Sequence, residues 1–198
     1  MARTRLTRSE RAALTRSDLL EAAEERFVRE GYHATTLEDV ADDAGYTKGA
    51  VYSAYESKAG LFLALLDVVI DRRLADVRAL LNEHQTGPEL LAALAAQPAE
   101  ERHTQFLLLE LEFLIHAARQ PALLEKFAER YRRLRESFTE LAPGSTPLGA
   151  KSWTIATLAL SNGLALERLI DPDGVPDDLM AAVQYRIVRP DPESADEP

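Results

Sequence analysis

The stretch from residue 35 to residue 62 constrains this chain more than any other part of it. Thr36 is followed three residues later by Asp39, which is the capping-box pattern that begins a helix. Apolar residues then recur at helical spacing, and Gly45 supplies the left-handed conformation with which helices commonly end. Thr47 fits the cap of another helix. The stretch therefore predicts two short helices joined by a tight turn.

The second of these helices has two distinct sides. Val51 and Tyr55 lie four residues apart on one side, where we expect a core, whereas polar and small residues occupy the other side. Two short helices joined by a glycine-containing turn form a helix-turn-helix, whose second helix can enter the major groove of DNA. Many helix corners share this pattern, so the residue types on the polar side decide the interpretation.

Those residue types suit contact with DNA. Lys48 is long enough to reach a phosphate or a guanine edge, and Tyr52 can donate its hydroxyl to a phosphate. Gly49 and Ala50 carry almost no side chain, so the start of the helix can approach the bases closely. Lys58 follows on the first turn of the next predicted helix, beside the same DNA backbone. The pattern indicates a DNA-reading helix.

A specific resemblance covers about residues 17–65. This region resembles the DNA-binding domain of TetR-family transcriptional regulators, and the match is carried by the run Gly45–Tyr52 and then by Tyr55, Lys58, Leu61 and Phe62. The resemblance implies an all-helical homodimer that binds double-stranded DNA. Carried over position by position, it implies that the DNA-facing residues are Thr36, Thr47, Lys48, Gly49, Ala50, Tyr52, Ser53 and Lys58.

Two positions depart from the family pattern. Ala54 stands where many members have a histidine that touches the DNA backbone, so the resemblance does not carry that phosphate contact over to this chain. Gly60 stands where an acidic residue commonly completes a capping box, so we expect a weaker start to the long helix that follows Ser57.

The composition argues against several other classes of protein. The 198 residues include no cysteine, which excludes disulfides, thiolate zinc sites and cysteine catalysis. The sequence contains no run of about 18 apolar residues, so it predicts no membrane-spanning helix. The N-terminus lacks the apolar core of a secretory signal, so we expect a cytoplasmic location.

The formal net charge of −10 opposes binding to phosphates. Its distribution reduces the conflict, because residues 1–16 hold five arginines against one glutamate, a local charge of +4. We expect this segment to be a flexible basic arm, which either solubilises the chain or touches DNA beside the docked helix.

The periodicity predicts an all-α fold of about nine helices without a strand. Two of the nine are a short helix over 89–96 and a final helix over 177–188. The predicted organisation is a basic arm over 1–16, a helix-turn-helix domain over 17–56, a helical ligand-binding and dimerisation domain over 57–188, and a disordered acidic tail over 189–198.

No catalytic or metal-binding spacing is present, and no cofactor is expected. A small-molecule pocket among the later helices is the stronger hypothesis, because buried carboxylates and histidines on an apolar helix need a partner. Ordinary core packing with satisfied polar groups is the alternative for each of the residues assigned to the pocket, which are Phe106, Glu110, Phe113, His116 and Trp153.

Ala156, Ala159 and Gly163 are spaced for a close approach between helices. The resemblance implies that the last two long helices form a dimer interface, although these residues could instead pack within one subunit. We therefore predict a repressor that a small-molecule effector releases from a palindromic operator. The alternatives are an activator or ligand-independent regulator on the same scaffold, and a helical small-molecule binder or enzyme without DNA binding.

Overall fold

The computed structural model describes residues 7–83, 101–142, 148–176, 178–180 and 182–183, and no strand occurs among them. They contain seven helices: α1 (Arg8–Ala34), α2 (Leu37–Asp43), α3 (Lys48–Tyr55), α4 (Lys58–Glu83), α5 (Glu101–Ala117), α6 (Pro121–Glu140) and α7 (Ala150–Ile170). No helix in these ranges is long and apolar enough to cross a membrane.

The all-α class is confirmed, but the described residues form seven helices rather than about nine. The helix predicted over 89–96 lies outside the described residues. Of the final helix predicted over 177–188, only 178–180 and 182–183 are described, and 179–180 and 182–183 are helical. The acidic tail predicted over 189–198 also lies outside the description.

The first helix begins at Arg8, so the prediction of a flexible arm as far as residue 16 is wrong for residues 8–16. The cause is a capping box. The Thr7 hydroxyl accepts from the Glu10 amide at 3.2 Å, and the Glu10 carboxylate accepts from the Thr7 amide at 2.7 Å. Because both groups are satisfied, the helix starts there instead of at Ser17.

A second capping box starts α2, as the sequence predicts. The Thr36 hydroxyl accepts from the Asp39 amide at 3.1 Å, and the Asp39 carboxylate accepts from the Thr36 amide at the same distance. The buried side chains that α1, α2 and α3 contribute to one core include Phe27, Val40 and Val51. The helix-turn-helix therefore packs on α1 through one shared hydrophobic core.

Polar contacts fix α1 against the turn and α3. The Tyr46 hydroxyl, in the turn between α2 and α3, donates to Asp18 of α1 at 2.6 Å. Arg16 donates to the Ala54 carbonyl at 2.6 Å, and the Tyr55 hydroxyl donates back to the Arg16 carbonyl at 2.8 Å. Arg16, which the sequence placed in the flexible arm, is thus part of the folded domain.

The chain divides into two compact units, Met1–Val69 with Leu108–Phe127, and Ile70–Leu107 with Ala128–Pro198. The unit with the helix-turn-helix therefore also includes the start of α4 and the second half of α5. In the other unit, α7 buries Trp153 and Thr154, and the hydroxyls of Thr154 and Thr139 form a hydrogen bond at 3.3 Å.

The start of α4 is built around a glycine. Ser57 caps the helix as predicted, because its hydroxyl accepts from the Gly60 amide at 3.0 Å. A Cβ at Gly60 would lie 2.5 Å from the Tyr55 carbonyl oxygen, closer than real Cβ atoms approach. The glycine that departs from the family pattern is therefore required by this backbone.

We expect Gly60→Ala to destabilise the protein by about 2 kcal/mol, since backbone must shift to admit the methyl group. Urea unfolding measures the change. Gly49→Ala is the matched control, because the nearest atom to its Cβ would lie 3.9 Å away, an ordinary contact. A Gly60→Ala variant as stable as Gly49→Ala would show that the backbone relaxes without cost.

Candidate nucleic-acid interface

The two sides of α3 separate as the sequence predicts. Val51 is fully buried and Tyr55 is 5% exposed, so the predicted core positions are confirmed. On the opposite side, the Lys48 side chain is 65% exposed and Tyr52 is 41% exposed. The Thr47 hydroxyl accepts from the Ala50 amide at 3.3 Å and caps the helix. These contacts present one polar side of α3 to solvent.

Lys48 and Tyr52 meet at a carboxylate from α2. The Lys48 ammonium forms an ion pair with Oε1 of Glu38. The Tyr52 hydroxyl donates to the same oxygen at 3.2 Å, and the Lys48 nitrogen lies 5.6 Å from the centre of the Tyr52 ring. The structure therefore joins the two side chains most suited to DNA in one exposed triad, which we call the Glu38 triad (Glu38, Lys48 and Tyr52).

Sequence reasoning assigns Glu38 no role beyond the first turn of α2. The hydrogen bond from Lys48 lowers the pKa of Glu38, and the same bond raises the pKa of Lys48. Both groups are therefore charged at neutral pH. A DNA phosphate that approaches Lys48 must compete with Glu38, so the carboxylate moderates the cation on the reading face.

The other residues predicted to contact DNA differ in their solvent exposure and in whether their side chains already form hydrogen bonds. Gly49 and Ser53 are exposed, and Ala50 is partly buried. Thr36 is exposed, but its hydroxyl is engaged with Asp39 in the α2 cap. Thr47 is exposed while its hydroxyl caps α3.

Lys58 points toward the end of α1. Its ammonium donates to the carbonyl oxygens of Tyr32 at 2.8 Å, His33 at 3.1 Å and Thr35 at 3.0 Å. Burial lowers the pKa of Lys58, and the charge of Glu112 opposes that effect. Because an ammonium has three hydrogens, this side chain uses its full donor capacity inside the chain.

Arg26 of α1 holds α2 in place beneath the Glu38 triad. Its guanidinium donates to both oxygens of Asp43, at 3.0 and 3.1 Å, and lies 3.5 Å from Asp39. It also pairs with Glu30 one turn along α1, at 3.0 Å. Both bonds to Asp43 come from Nη1, while Nη2 lies near Asp39 and Nε pairs with Glu30, so the planar guanidinium contacts two carboxylates of α2 and one of α1.

The predicted pocket residues fall in different units. Phe106 and Trp153 belong to the second unit, where both are buried and the Arg73 guanidinium lies 5.9 Å from the Phe106 ring. The indole nitrogen of Trp153 and Nε2 of His103 are buried without a hydrogen-bond partner. Burial lowers the pKa of His103 to about 4, and Arg73 acts in the same direction, so this imidazole is neutral at neutral pH.

The other three predicted pocket residues belong to the first unit: Glu110, Phe113 and His116. The Phe113 ring stacks on Phe62 at 4.4 Å. His116 forms a hydrogen bond with Gln120 at 3.1 Å, and Glu110 is buried. Within the described ranges, no group of three or more metal-ligating side chains is arranged to hold an ion.

The predicted interface residues lie on α7 of the second unit. Ala159 and Gly163 are exposed, whereas Ala156 is partly buried. A Cβ at Gly163 would have no atom within 4 Å. Larger apolar side chains on the same helix are also exposed, among them Ile155 and Ile170.

The all-helical architecture of the described residues and the exposed side of α3 define a helix-turn-helix DNA-binding protein. The family model of the bacterial regulatory proteins of the tetR family matches residues 19–65, and that of the C-terminal domain of BetI-type transcriptional repressors matches residues 88–189. The chain belongs to the TetR family of DNA-binding transcriptional regulators, whose members are not enzymes.

Individual relatives agree with this assignment. The chain is 31% identical over 196 residues to the HTH-type transcriptional regulator TtgR of Pseudomonas putida, covering 88% of this chain and 89% of TtgR. It is 43% identical over 78 residues to the HTH-type transcriptional activator FasR of Mycolicibacterium smegmatis, covering 39% of this chain and 34% of FasR. The fold is similar to a TetR-family regulator from Cytophaga hutchinsonii, with a TM-score of 0.70, 19% identity, and coverage of 93% and 96% of the two chains.

Glu38→Gln is expected to strengthen DNA binding roughly fivefold, because it removes a negative charge beside the phosphates and releases Lys48. Fluorescence anisotropy with a labelled duplex measures the affinity. Glu25→Gln removes the same charge from an exposed position on α1 and serves as the control. Equal gains in both variants would attribute the effect to net charge, and weaker binding by Glu38→Gln would indicate that Glu38 itself contacts a base.

Proposed function

We propose that the chain acts in the cytoplasm as a homodimeric repressor that binds a palindromic operator and leaves it when a small molecule binds. The exposed side of α3, with Lys48 and Tyr52 outward and Val51 and Tyr55 buried, is the observation that carries the DNA part of this proposal. One protomer inserts one such helix into a major groove. Its partner reads the other half-site about one helical turn, or a multiple of it, away.

Ser53 and the near-bare residues Gly49 and Ala50 complete the proposed reading surface around Lys48 and Tyr52. Thr36 and Thr47, whose hydroxyls cap helices, are proposed to lie beside the DNA backbone. Lys58 remains in the proposed site, although its ammonium is engaged with α1. Its influence on DNA binding is treated below.

Selection from a pool of random duplexes tests the operator proposal. The purified chain is expected to enrich an inverted repeat, whose affinity is then measured by anisotropy. Enrichment of an unpaired half-site, or of no sequence, would contradict binding as a symmetric pair.

The exposed small and apolar residues of α7 support dimer formation. Ile155, Ala159, Gly163 and Ile170 follow helical spacing along the helix, and the space beside Gly163 admits a close neighbour. A second copy of the same helix would cover them. Dimerisation also doubles the few base contacts that one short helix makes.

Ala159→Glu is expected to shift the protein from dimer to monomer, because it places a charge in an apolar interface. Analytical ultracentrifugation measures the change. Ser152→Glu adds the same side chain to an exposed position of α7 and is expected to leave the dimer intact. A dimeric Ala159→Glu variant would place the interface elsewhere.

The effector proposal rests on unsatisfied polar atoms in the second unit. The indole N–H of Trp153 and Nε2 of His103 are buried without a hydrogen-bond partner, which costs free energy unless a ligand supplies the missing hydrogen bonds. Such groups favour an uncharged, hydrogen-bonding effector. Phe106, in the same unit, is the apolar surface proposed beside them.

Trp153 is the only tryptophan, so its fluorescence reports on this region. A panel of small uncharged aromatic compounds is titrated, with the carboxylate analogue of each as a control. The effector is expected to change the emission and also to weaken operator binding. It must favour the DNA-free state by a few kcal/mol, because equal affinity for both states shifts nothing. A compound that binds at Trp153 without any effect on DNA would contradict the release mechanism.

Activation is the second candidate function, and the likeness to the activator FasR favours it. The two functions use the same protein surface and differ in where the operator lies relative to the promoter. Footprinting on the promoter separates them: protection over the RNA polymerase site indicates repression, and protection upstream of it indicates activation.

A further inference from the structure

The end of α1 is a charged junction between α5 and the helix-turn-helix of α2 and α3, which we call the reading head. Gly31 leaves the helical conformation with φ +83° and ψ 167°. Directly after this break, the Tyr32 amide donates to Oε2 of Glu112 at 2.8 Å. Glu112 is 80 residues away in the sequence, on the part of α5 that belongs to the same compact unit.

Gly31 also makes room for the Glu112 carboxylate. A Cβ at this position would lie 3.0 Å from one oxygen of Glu112 and 3.1 Å from the other. The positive φ independently favours glycine there. The break in α1 and the carboxylate are therefore fitted to each other.

Lys58 binds the same junction from α4. Its three hydrogen bonds satisfy the carbonyl oxygens of Tyr32, His33 and Thr35, and its nitrogen lies 4.6 Å from the centre of the Tyr32 ring. A cation at the end of a helix is stabilised by the helix dipole. One carboxylate and one ammonium thus hold the backbone that leads from α1 into α2.

Aromatic rings from three helices pack around the junction. The Tyr32 ring contacts Phe27 of α1 at 5.8 Å, Phe62 of α4 at 5.4 Å and Phe113 of α5 at 5.2 Å between centroids. Phe113 follows Glu112 directly in the sequence. A movement of this part of α5 would therefore act on Tyr32 through both a ring contact and a hydrogen bond.

We propose that Glu112 is a positioning residue for DNA binding: it fixes the end of α1, and with Lys58 it sets the orientation of the head that carries α3. This rests on the proposed function. It assigns to Lys58 an effect on affinity through the junction instead of a phosphate contact. A displacement of α5 would then weaken operator binding through two contacts, the hydrogen bond between Glu112 and Tyr32 and the ring contact between Phe113 and Tyr32.

Glu112→Ala is expected to weaken operator binding roughly tenfold, because the junction loses its acceptor. Glu112→Gln keeps an oxygen that can accept from Tyr32 and is expected to retain most of the affinity. Electrostatics alone predicts that Glu112→Ala would bind DNA more tightly, because loss of a carboxylate favours phosphate binding. Glu129→Ala, at an exposed position of α6, is the control and is expected to bind at least as tightly as the unmodified chain.

Lys58→Met separates positioning from a phosphate contact. It is expected to weaken binding without changing the dependence of affinity on salt, whereas loss of a phosphate contact lowers that slope by about one for each protomer. Glu112→Ala combined with Lys58→Met is expected to lose less than the product of the two single effects, because both act on one junction. A lowered salt slope for Lys58→Met, or unchanged or tighter binding by Glu112→Ala, overturns the proposal.

Hydrogen exchange gives a readout that does not depend on DNA. Glu112→Ala is expected to speed exchange at residues 31–35 and at the start of α4, with α6 unchanged, and Glu112→Gln is expected to restore protection. Unchanged exchange at 31–35 overturns the positioning role whether or not a duplex is found. Faster exchange there, in a chain that selects no duplex, supports the positioning role and contradicts the proposed operator binding.

Discussion

The double variant Lys48→Ala/Tyr52→Ala is expected to lose operator affinity by at least roughly 100-fold, since each protomer of a dimer loses a cation and a hydroxyl from its reading face. The Lys48 side chain is 65% exposed and Tyr52 is 41% exposed, and their described contacts are with Glu38 and with each other, not with the core. The fold and its stability are therefore expected to persist. Anisotropy titrations with the selected duplex, at several salt concentrations, measure the loss.

The single variants distinguish the two side chains. Lys48→Ala is expected to lower the salt slope by about two for the dimer if the ammonium binds a phosphate. Tyr52→Phe removes only the hydroxyl and is expected to leave the slope nearly unchanged. Lys151→Ala, which removes an exposed cation from α7, is the control for net charge. Equal losses in Lys48→Ala and Lys151→Ala would remove α3 from the interface.

The local signals in the sequence were sufficient for the helix-turn-helix. Caps are formed by residues three apart, so Thr36 with Asp39 could be recognised without any tertiary information. The same pattern at Thr7 and Glu10 starts α1, but an arginine-rich segment without apolar periodicity favoured a flexible arm instead. In that segment the cap decided the structure and periodicity did not.

Contacts distant in sequence could not be predicted in this way. The Glu112 carboxylate reaches an amide 80 residues earlier, and no spacing rule connects the two. Lys58 could be placed at the start of α4, but the carbonyl groups that bind it come from the end of α1. The direction of a side chain depends on the partners that tertiary packing brings near it. The contacts of Glu112 and Lys58 therefore could not be predicted from the sequence.

The acidic composition is consistent with a DNA-binding surface that is charged only locally. Glu38 neutralises Lys48 in the absence of DNA, and Asp43 and Glu30 neutralise Arg26. Among the described residues, Lys48 and Arg26 can therefore bind a phosphate only in competition with a carboxylate of the same chain. Specific contacts must then supply a larger share of the affinity, which favours discrimination between operator and random DNA.

Phe62→Ala is expected to destabilise the protein by about 3–5 kcal/mol, because it removes a fully buried ring from the centre of the first unit. The ring stacks on Phe113 at 4.4 Å and meets Phe27 edge-on at 5.6 Å. Alanine would leave a cavity where α1, α4 and α5 contribute aromatic rings. Urea unfolding measures the free energy, and the melting temperature is expected to fall on the order of 10 °C.

Val68→Ala is the matched control, because it also shortens an apolar side chain of α4 but at an exposed position. Its effect is expected to stay within about 0.5 kcal/mol. Leucine at position 62 should restore part of the stability by filling volume without an aromatic face, so Phe62→Leu measures how much the ring contacts add. If Phe62→Ala and Val68→Ala unfolded at the same urea concentration, the aromatic cluster would not be the core that holds the reading head to α5.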